Sequence, residues 1–136
     1  MLNHWIACSQ TDNPFDSNLG DSPVNFQILE QLYEVVGHEI QQVLIQQFLT
    51  YAPQQIEVLQ QLVMQGDAEA LRCKAHQFKG ECAQLGACHL ATLCKELEIL
   101  AKANQLDFAA KCLTQLQREA NRVNQVLTQV YHHDKS

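Results

Sequence analysis

Proline, glycine and long apolar runs are scarce in this chain, and its basic residues are few. Three Pro and five Gly among 136 residues leave few points at which a helix must end, which favours helix throughout. No apolar run approaches the roughly 20 residues of a membrane-spanning helix, so we expect no membrane segment. Lys and Arg number 9 against 15 Asp and Glu, which gives a net charge of −6, and the basic residues are not clustered. A nucleic-acid partner is therefore not expected, because binding to phosphates requires a positive patch.

The N-terminus and the cysteines bear on the cellular compartment. Residues 1–13 lack the basic region and the following apolar core of a signal peptide. Several of the six cysteines lie on or beside apolar helical stripes, where a free Cys acts as a small hydrophobic residue. We therefore expect free thiols in the reducing environment of the cytoplasm.

What the sequence does contain is helical periodicity along nearly its whole length. A first, short helix can start at Ser22–Pro23 or at Asn25 and should end at Gly37. Pro53 falls inside the next segment, where it removes a backbone donor and should kink the helix, although the apolar phase continues on both sides. The longer helical segments are predicted at 38–65, 67–85, 89–103 and 107–131.

These segments define the predicted architecture. Four long amphipathic helices with short connections imply an all-α fold, an antiparallel up-down-up-down four-helix bundle with an additional short N-terminal helix. No strand pattern competes with this interpretation. The chain then divides into a loosely ordered N-terminal arm (1–22), the helical bundle (23–131) and a frayed C-terminus (132–136).

The segment 67–85 has two distinct faces. Its apolar residues recur at spacings of three and four and form one stripe that must face a core: Ala68, Leu71, Ala75, Phe78, Cys82 and Leu85. His76 falls on the opposite, solvent side, with Arg72 one turn before it and Lys79 and Gly80 one turn after it. Gly86 suits the left-handed conformation that ends a helix.

The residues around His76 fit a particular chemistry. Gly in mid-helix costs roughly 1 kcal/mol relative to Ala, and here Gly80 and Ala83 leave a shallow surface on which another protein can come close. Lys79 places a cation within reach of any group carried on the ring. An exposed imidazole beside an ammonium group suits a nucleophile that accepts a phosphoryl group. Arg72 is interpreted as a surface charge that could touch a docking partner.

This segment resembles the signature of histidine-containing phosphotransfer (HPt) domains, usually Ala-His-x-Leu-Lys-Gly-Ser-Ser-x-x-Leu-Gly. The residues that carry the resemblance are Ala75-His76-x-Phe78-Lys79-Gly80-x-Cys82-x-x-Leu85-Gly86, followed by Leu90, Cys94, Leu97 and Glu98. The resemblance extends over roughly residues 25–131. It departs from the pattern at Glu81 and Cys82, where two small residues are common. Cys82 lies on the buried stripe, whereas Glu81 adds a negative charge near the site.

The resemblance implies a function in two-component signal transduction. In that family pattern, His76 takes a phosphoryl group from the aspartyl-phosphate of one receiver domain and passes it to another receiver, with Lys79 offsetting the phosphoryl charge. The residues Arg72, Gly80 and Ala83 would belong to the docking surface. The implied partners are the receiver domains of response regulators and hybrid histidine kinases, and the bundle would be a cytoplasmic monomer.

The chain is expected to be a phosphoryl carrier with a covalent phosphohistidine intermediate, and not an enzyme. It has no paired acids positioned for magnesium, no glycine-rich phosphate loop and no nucleotide-binding segment. It should therefore not phosphorylate itself from ATP. No cofactor or metal is expected on this chain, and Mg²⁺ is expected on the partner receiver domain.

Three other interpretations compete with this one. Sensor kinases carry a similar His-x-Phe-Lys box, but their box continues with Thr or Asn and then Pro, whereas Gly80 follows here. A helical adaptor or inhibitor that is never phosphorylated would only bind receiver or kinase domains. A zinc site is the weakest alternative, because the usual paired Cys-x-x-Cys spacing is missing among its candidate ligands Cys73, His76, Cys88 and His89.

Overall fold

The computed structural model describes residues 22–135, and over this range the chain is helical and contains no β-strand. The helices are α1 (Phe26–Gln65), α2 (Ala68–Gln84), α3 (Cys88–Lys102) and α4 (Leu106–Lys135). The all-α class is thereby confirmed for the described residues, and none of these helices has the length and apolar character needed to span a bilayer. The predicted N-terminal arm lies outside the described residues, except for Ser22.

Helix α1 begins at a capped residue and is interrupted once. The Asn25 side chain accepts hydrogen bonds from the backbone N–H groups of Gln27 (2.9 Å) and Ile28 (3.3 Å), so Asn25 is the N-cap. Gly37 has φ 87° and ψ 172°, angles that Gly adopts without strain and that break the helical geometry within α1. The break lies where the sequence predicts the end of a first helix. Through Pro53, by contrast, the helix is continuous, as predicted from the apolar phase, but the non-helical backbone angles within α1 lie at Gly37 and not at Pro53, where a kink is predicted.

Apolar side chains of the four helices form one core. Helix α2 packs on α1 and α3, and α4 packs on the same two helices. The ring of Phe48 on α1 stacks on that of Phe78 on α2, with centroids 6.0 Å apart and 12° between the planes. Burying a Leu or Phe side chain completely stabilises a fold by about 1.5–3 kcal/mol. The buried stripe of α2 therefore fixes the direction in which the opposite face of this helix points.

Tight turns fix both ends of α2. Gly66 is left-handed (φ 74°) and ends α1, and the Asp67 side chain then accepts a hydrogen bond from the Ala70 N–H at 3.1 Å as the N-cap of α2. Gly86 is also left-handed (φ 80°), as predicted, and its carbonyl accepts a hydrogen bond from the Asn25 N–H at 2.8 Å. The start of α1 is thus attached to the end of α2.

The cysteines follow the prediction of free thiols only in part. The free cysteines of the described residues are Cys73, Cys82, Cys94 and Cys112. Cys88 is disulfide-bonded, so the prediction is wrong at this position. A place on an apolar stripe indicates burial, but it does not reveal whether a second sulfur lies at bonding distance, which decides disulfide formation. The prediction for Cys8 lies outside the described residues.

Candidate functional site

His76 lies on the exposed face of α2, opposite the buried stripe of the helix. Its neighbours Ala75 and Phe78 are 0% and 1% exposed, whereas 63% of the His76 side chain is open to solvent. Burial on one side anchors the helix, and the imidazole projects from the other. This is the placement that the sequence predicts.

Glu98 of α3 supports the imidazole from one side. Its Oε2 lies 3.0 Å from Nδ1 of His76, and the Glu98 side chain is largely buried. An ionised carboxylate only accepts hydrogen bonds, so Nδ1 carries the proton and donates it. The other ring nitrogen, Nε2, then holds the free lone pair and is the atom available to an incoming partner.

Lys79 completes a cluster of three charged or polar side chains with His76 and Glu98. Its Nζ lies 3.3 Å from Oε1 of Glu98, and the Lys79 side chain is 15% exposed. Lys79 is therefore held beside the imidazole by Glu98 and does not extend freely into solvent. Burial acts to raise the pKa of Glu98, but the hydrogen bond and charge of Lys79, followed by those of His76, lower the pKa below its ordinary value. Glu98 is thus ionised at neutral pH.

The residues predicted for docking share the surface of α2 with His76 but differ in their surroundings. Gly80 is exposed, and a Cβ at this position would meet no atom within 4 Å. Packing inside the bundle therefore does not require Gly there. Ala83 is half-buried. Arg72 makes a two-pronged ion pair with Glu69, with Nε–Oε1 at 3.3 Å and Nη2–Oε2 at 2.6 Å, and its contact with a partner stays a prediction.

The sequence motif around His76 indicates no role for Glu98, although Glu98 belongs to the family pattern. Its position around the axis of α3 does indicate a role. Glu98 follows the buried Leu97, and it shares one side of the helix with Ala91 and Cys94, which are also buried. An acidic residue at the border of a buried stripe needs a partner, because a desolvated carboxylate without one is costly. Glu98 can thus be predicted as a site residue from the sequence, although its partner His76 cannot.

The thiols and the metal-ligating groups give no second candidate site. Burial, with a contribution from Cys94, raises the pKa of the Cys82 thiol, and burial raises that of Cys112 to about 11. Both groups therefore remain protonated at neutral pH and are poor nucleophiles. Across residues 22–135, no three His, Cys, Asp or Glu side chains are grouped so that they could hold a metal ion. The described residues therefore do not form the zinc site that is considered from the sequence.

The cluster provides the parts of a nucleophilic carrier. Nε2 can attack an electrophile, and the positive charge that then develops on the ring is stabilised through Nδ1–H by the Glu98 carboxylate. Lys79 adds an ammonium group next to the ring, where an anionic group carried on Nε2 benefits from it. With most of the His76 side chain exposed, the electrophile can be presented by a macromolecule.

Comparisons with known proteins identify the family of the chain. The sequence model of the Hpt domain family matches residues 43–126, which include all of α2 and α3 and hence the His76 cluster. Among solved structures, the crystal structure of histidine-containing phosphotransfer protein B (HptB) from Pseudomonas aeruginosa PAO1 is similar. It shares 32% sequence identity at a TM-score of 0.79, and the match covers 83% of this chain and 97% of that chain. A comparison with curated proteins gives no match. The chain belongs to the Hpt domain family.

Proposed function

We propose that His76 accepts a phosphoryl group from the aspartyl-phosphate of a receiver domain and passes it to an aspartate of another receiver domain in a multistep phosphorelay. The observation that carries this proposal is the cluster of His76, Glu98 and Lys79, in which Nδ1 is engaged at 3.0 Å while most of the ring is exposed. Membership of the Hpt family supports histidine phosphotransfer as the chemistry.

The proposed transfer is a substitution at phosphorus. The lone pair of Nε2 forms the N–P bond while the bond from phosphorus to the aspartate oxygen breaks, and the electron pair of that bond leaves with the carboxylate. The ring gains positive charge, which the ionised Glu98 stabilises through the Nδ1 proton. Lys79 offsets the negative charge of the phosphoryl oxygens. Transfer to the second receiver reverses these bond changes and restores the neutral imidazole.

The proposed partners are the receiver domains of response regulators and hybrid histidine kinases. They would approach over Gly80 and Ala83, with Arg72 at the edge of the contact. In this proposal Mg²⁺ belongs to the receiver domain, and no cofactor resides on this chain. The chain contributes the nucleophile and its positioning, and the receiver contributes the aspartate.

The proposed state of the carrier is a cytoplasmic monomer in which the four helices alternate in direction. The connections at 66–67, 85–87 and 103–105 are short enough to reverse the chain, and residues 26–36 would be the additional N-terminal helix. The four free thiols of residues 22–135 suit a reducing compartment, whereas a disulfide at Cys88 is uncommon there. Thiol labelling of Cys88 in denatured cell extracts, with the free Cys73 as the control, tests the compartment without interference from the burial of Cys88.

The transfer itself is tested with a receiver domain carrying a labelled phosphoryl group, mixed with the purified protein and Mg²⁺. The wild type should acquire label that survives base and is lost in acid, as a phosphoramidate does. His76→Gln should remain folded by circular dichroism and acquire none. Label retained by His76→Gln would contradict the proposal. A failure of every receiver to label a wild type that still binds them would instead favour the adaptor.

A further inference from the structure

A groove of about 210 Å³ lies between α1 and α2, on the side of α2 that does not face Glu98. Its floor includes Phe48, which stacks on the buried Phe78 and is therefore held in place. Its other lining residues include Leu44, Tyr51, Glu81 and Gln84. The groove thus combines a fixed aromatic floor with one acidic side chain.

The groove is continuous with the surface around His76. Glu81 follows the exposed Gly80 directly, and Gln84 is within about 12 Å of His76 along the axis of α2, at roughly 1.5 Å per residue. Tyr51 on the other wall is 52% exposed. A protein that covers His76 and Gly80 can therefore extend over this groove by way of Gln84 and Tyr51.

Apolar side chains extend the groove along α1. Ile40 and Val43 are 51% and 47% exposed, and they lie on the same side of α1 as Leu44 and Tyr51 by helical spacing. Exposed apolar groups that share one side of a helix are typical of an interaction surface. The apolar part of the contact is thus expected on α1, and the reactive part on α2.

Glu81 is an acidic residue at this surface without an ion-pair partner among the described residues. It is half-buried, and burial raises the pKa of its carboxyl, while the charge of Lys74 acts in the opposite direction. Glu98 and Glu69, in contrast, are paired with Lys79 and Arg72. A partly desolvated carboxylate of this kind is stabilised when a partner brings a cation to it.

We propose that the groove between α1 and α2 receives an apolar side chain of the receiver domain, and that Glu81 pairs with a Lys or Arg next to that side chain. Glu81 thereby selects among receivers by charge. This inference rests on the proposed function, since it names the docking contact of the same site. The occupant is a receiver surface in which one apolar residue and one basic residue are neighbours.

The test uses an unphosphorylated receiver domain that exchanges phosphoryl groups with the wild type. Glu81→Gln should raise the Kd for this receiver about three- to tenfold and make it less dependent on salt, while the transfer rate at saturating receiver stays unchanged. The matched control is Glu96→Gln, which removes the same charge from an exposed residue of α3 whose charge acts on Cys112 of α4. This control should leave the Kd unchanged. Tyr51→Ala should raise the Kd without altering its salt dependence.

Two results would overturn the inference. One is an equal or tighter Kd for Glu81→Gln with the salt dependence of the wild type. The other is an effect of Glu96→Gln as large as that of Glu81→Gln, which would indicate long-range attraction and no local ion pair. A wild type that exchanges phosphoryl groups normally, with Glu81→Gln binding equally well, removes only the groove contact. If the transfer assay described under the proposed function finds no receiver that exchanges phosphoryl groups with the wild type, the proposed function fails, and this inference fails with it.

Discussion

Glu98 and His76 are joined across the interface of α2 and α3 by a contact of 3.0 Å between Oε2 and Nδ1. Because the carboxylate can only accept, this contact selects the tautomer in which Nε2 is the nucleophile. The same carboxylate holds Lys79 through its second oxygen at 3.3 Å. One residue of α3 thus positions both functional groups of α2.

Glu98→Gln should lower the transfer rate by about tenfold or more, because the amide oxygen still accepts from Nδ1 but no longer stabilises the positive charge on the ring. The measurement is single-turnover transfer from a labelled receiver at saturating concentration. Binding of the unphosphorylated receiver should stay close to that of the wild type. An unchanged rate would show that Glu98 only packs against the ring.

The pKa of the Glu98 carboxyl should lie below that of an ordinary Glu, and Lys79→Met should raise it more than His76→Gln does. Lys79 is the larger of the two influences that lower this pKa. Carbon-detected NMR titration of the side-chain carboxyl measures the order. An equal or reversed order would show that His76 lowers the pKa of Glu98 at least as much as Lys79 does.

The lowered pKa of Glu98 also makes the stability of the fold depend on pH. A carboxyl whose pKa is lower in the folded state stabilises the fold above its unfolded pKa, and this contribution is lost as the pH falls through its folded value. The free energy of unfolding of the wild type should therefore fall more between neutral and acidic pH than that of Glu98→Gln. Urea unfolding of both proteins at several pH values checks this difference.

Gly80→Ala should stabilise the bundle and weaken receiver binding. Beyond its chain neighbours and the backbone of its own helix, the new methyl group meets no atom within 4 Å, and Ala is favoured over Gly in a helix by up to about 1 kcal/mol. The same methyl group would stand between α2 and a docked receiver. Urea unfolding and receiver titration measure the two effects separately, and Gly80→Leu should enlarge the loss of binding. Unaltered binding in both variants would remove Gly80 from the docking surface.

Gly86→Ala should destabilise the protein more than Gly66→Ala, although both glycines are left-handed. A non-Gly residue in this conformation costs about 1–2 kcal/mol. At Gly86 the added Cβ would also lie 2.6 Å from the carbonyl oxygen of Asn25, whereas at Gly66 the nearest atom is a Leu106 side-chain carbon at 4.0 Å. Equal losses of unfolding free energy would show that the start of α1 moves away from Gly86 without cost.

The sequence predicted those features that depend on neighbours along the chain. Helices α2 and α3 begin and end close to their predicted limits, and α4 runs past its predicted end at Tyr131 to Lys135. The side of α2 that carries His76 follows from a period of 3.6 residues and was predicted correctly. The Asn25 cap and the left-handed Gly86 follow from local backbone chemistry.

The features that the sequence missed depend on how helices meet. Glu98 and His76 are 22 residues apart, and their contact requires a particular rotation of α3 against α2, which no local pattern fixes. The same holds for the contact between Lys79 and Glu98, which the sequence does not predict. The disulfide bond of Cys88 is not predicted either, because its formation depends on a second sulfur at bonding distance.

The packing of α2 also bears on how the protein transmits a signal. The side chains on its buried face are at most 1% exposed. Because this face is closely packed, we expect the helix not to shift when His76 changes its chemical state. We expect the loaded and unloaded forms to share one backbone. The signal is then carried by the number of phosphorylated molecules and not by a change in their conformation. Signal strength should therefore scale with the abundance of the protein.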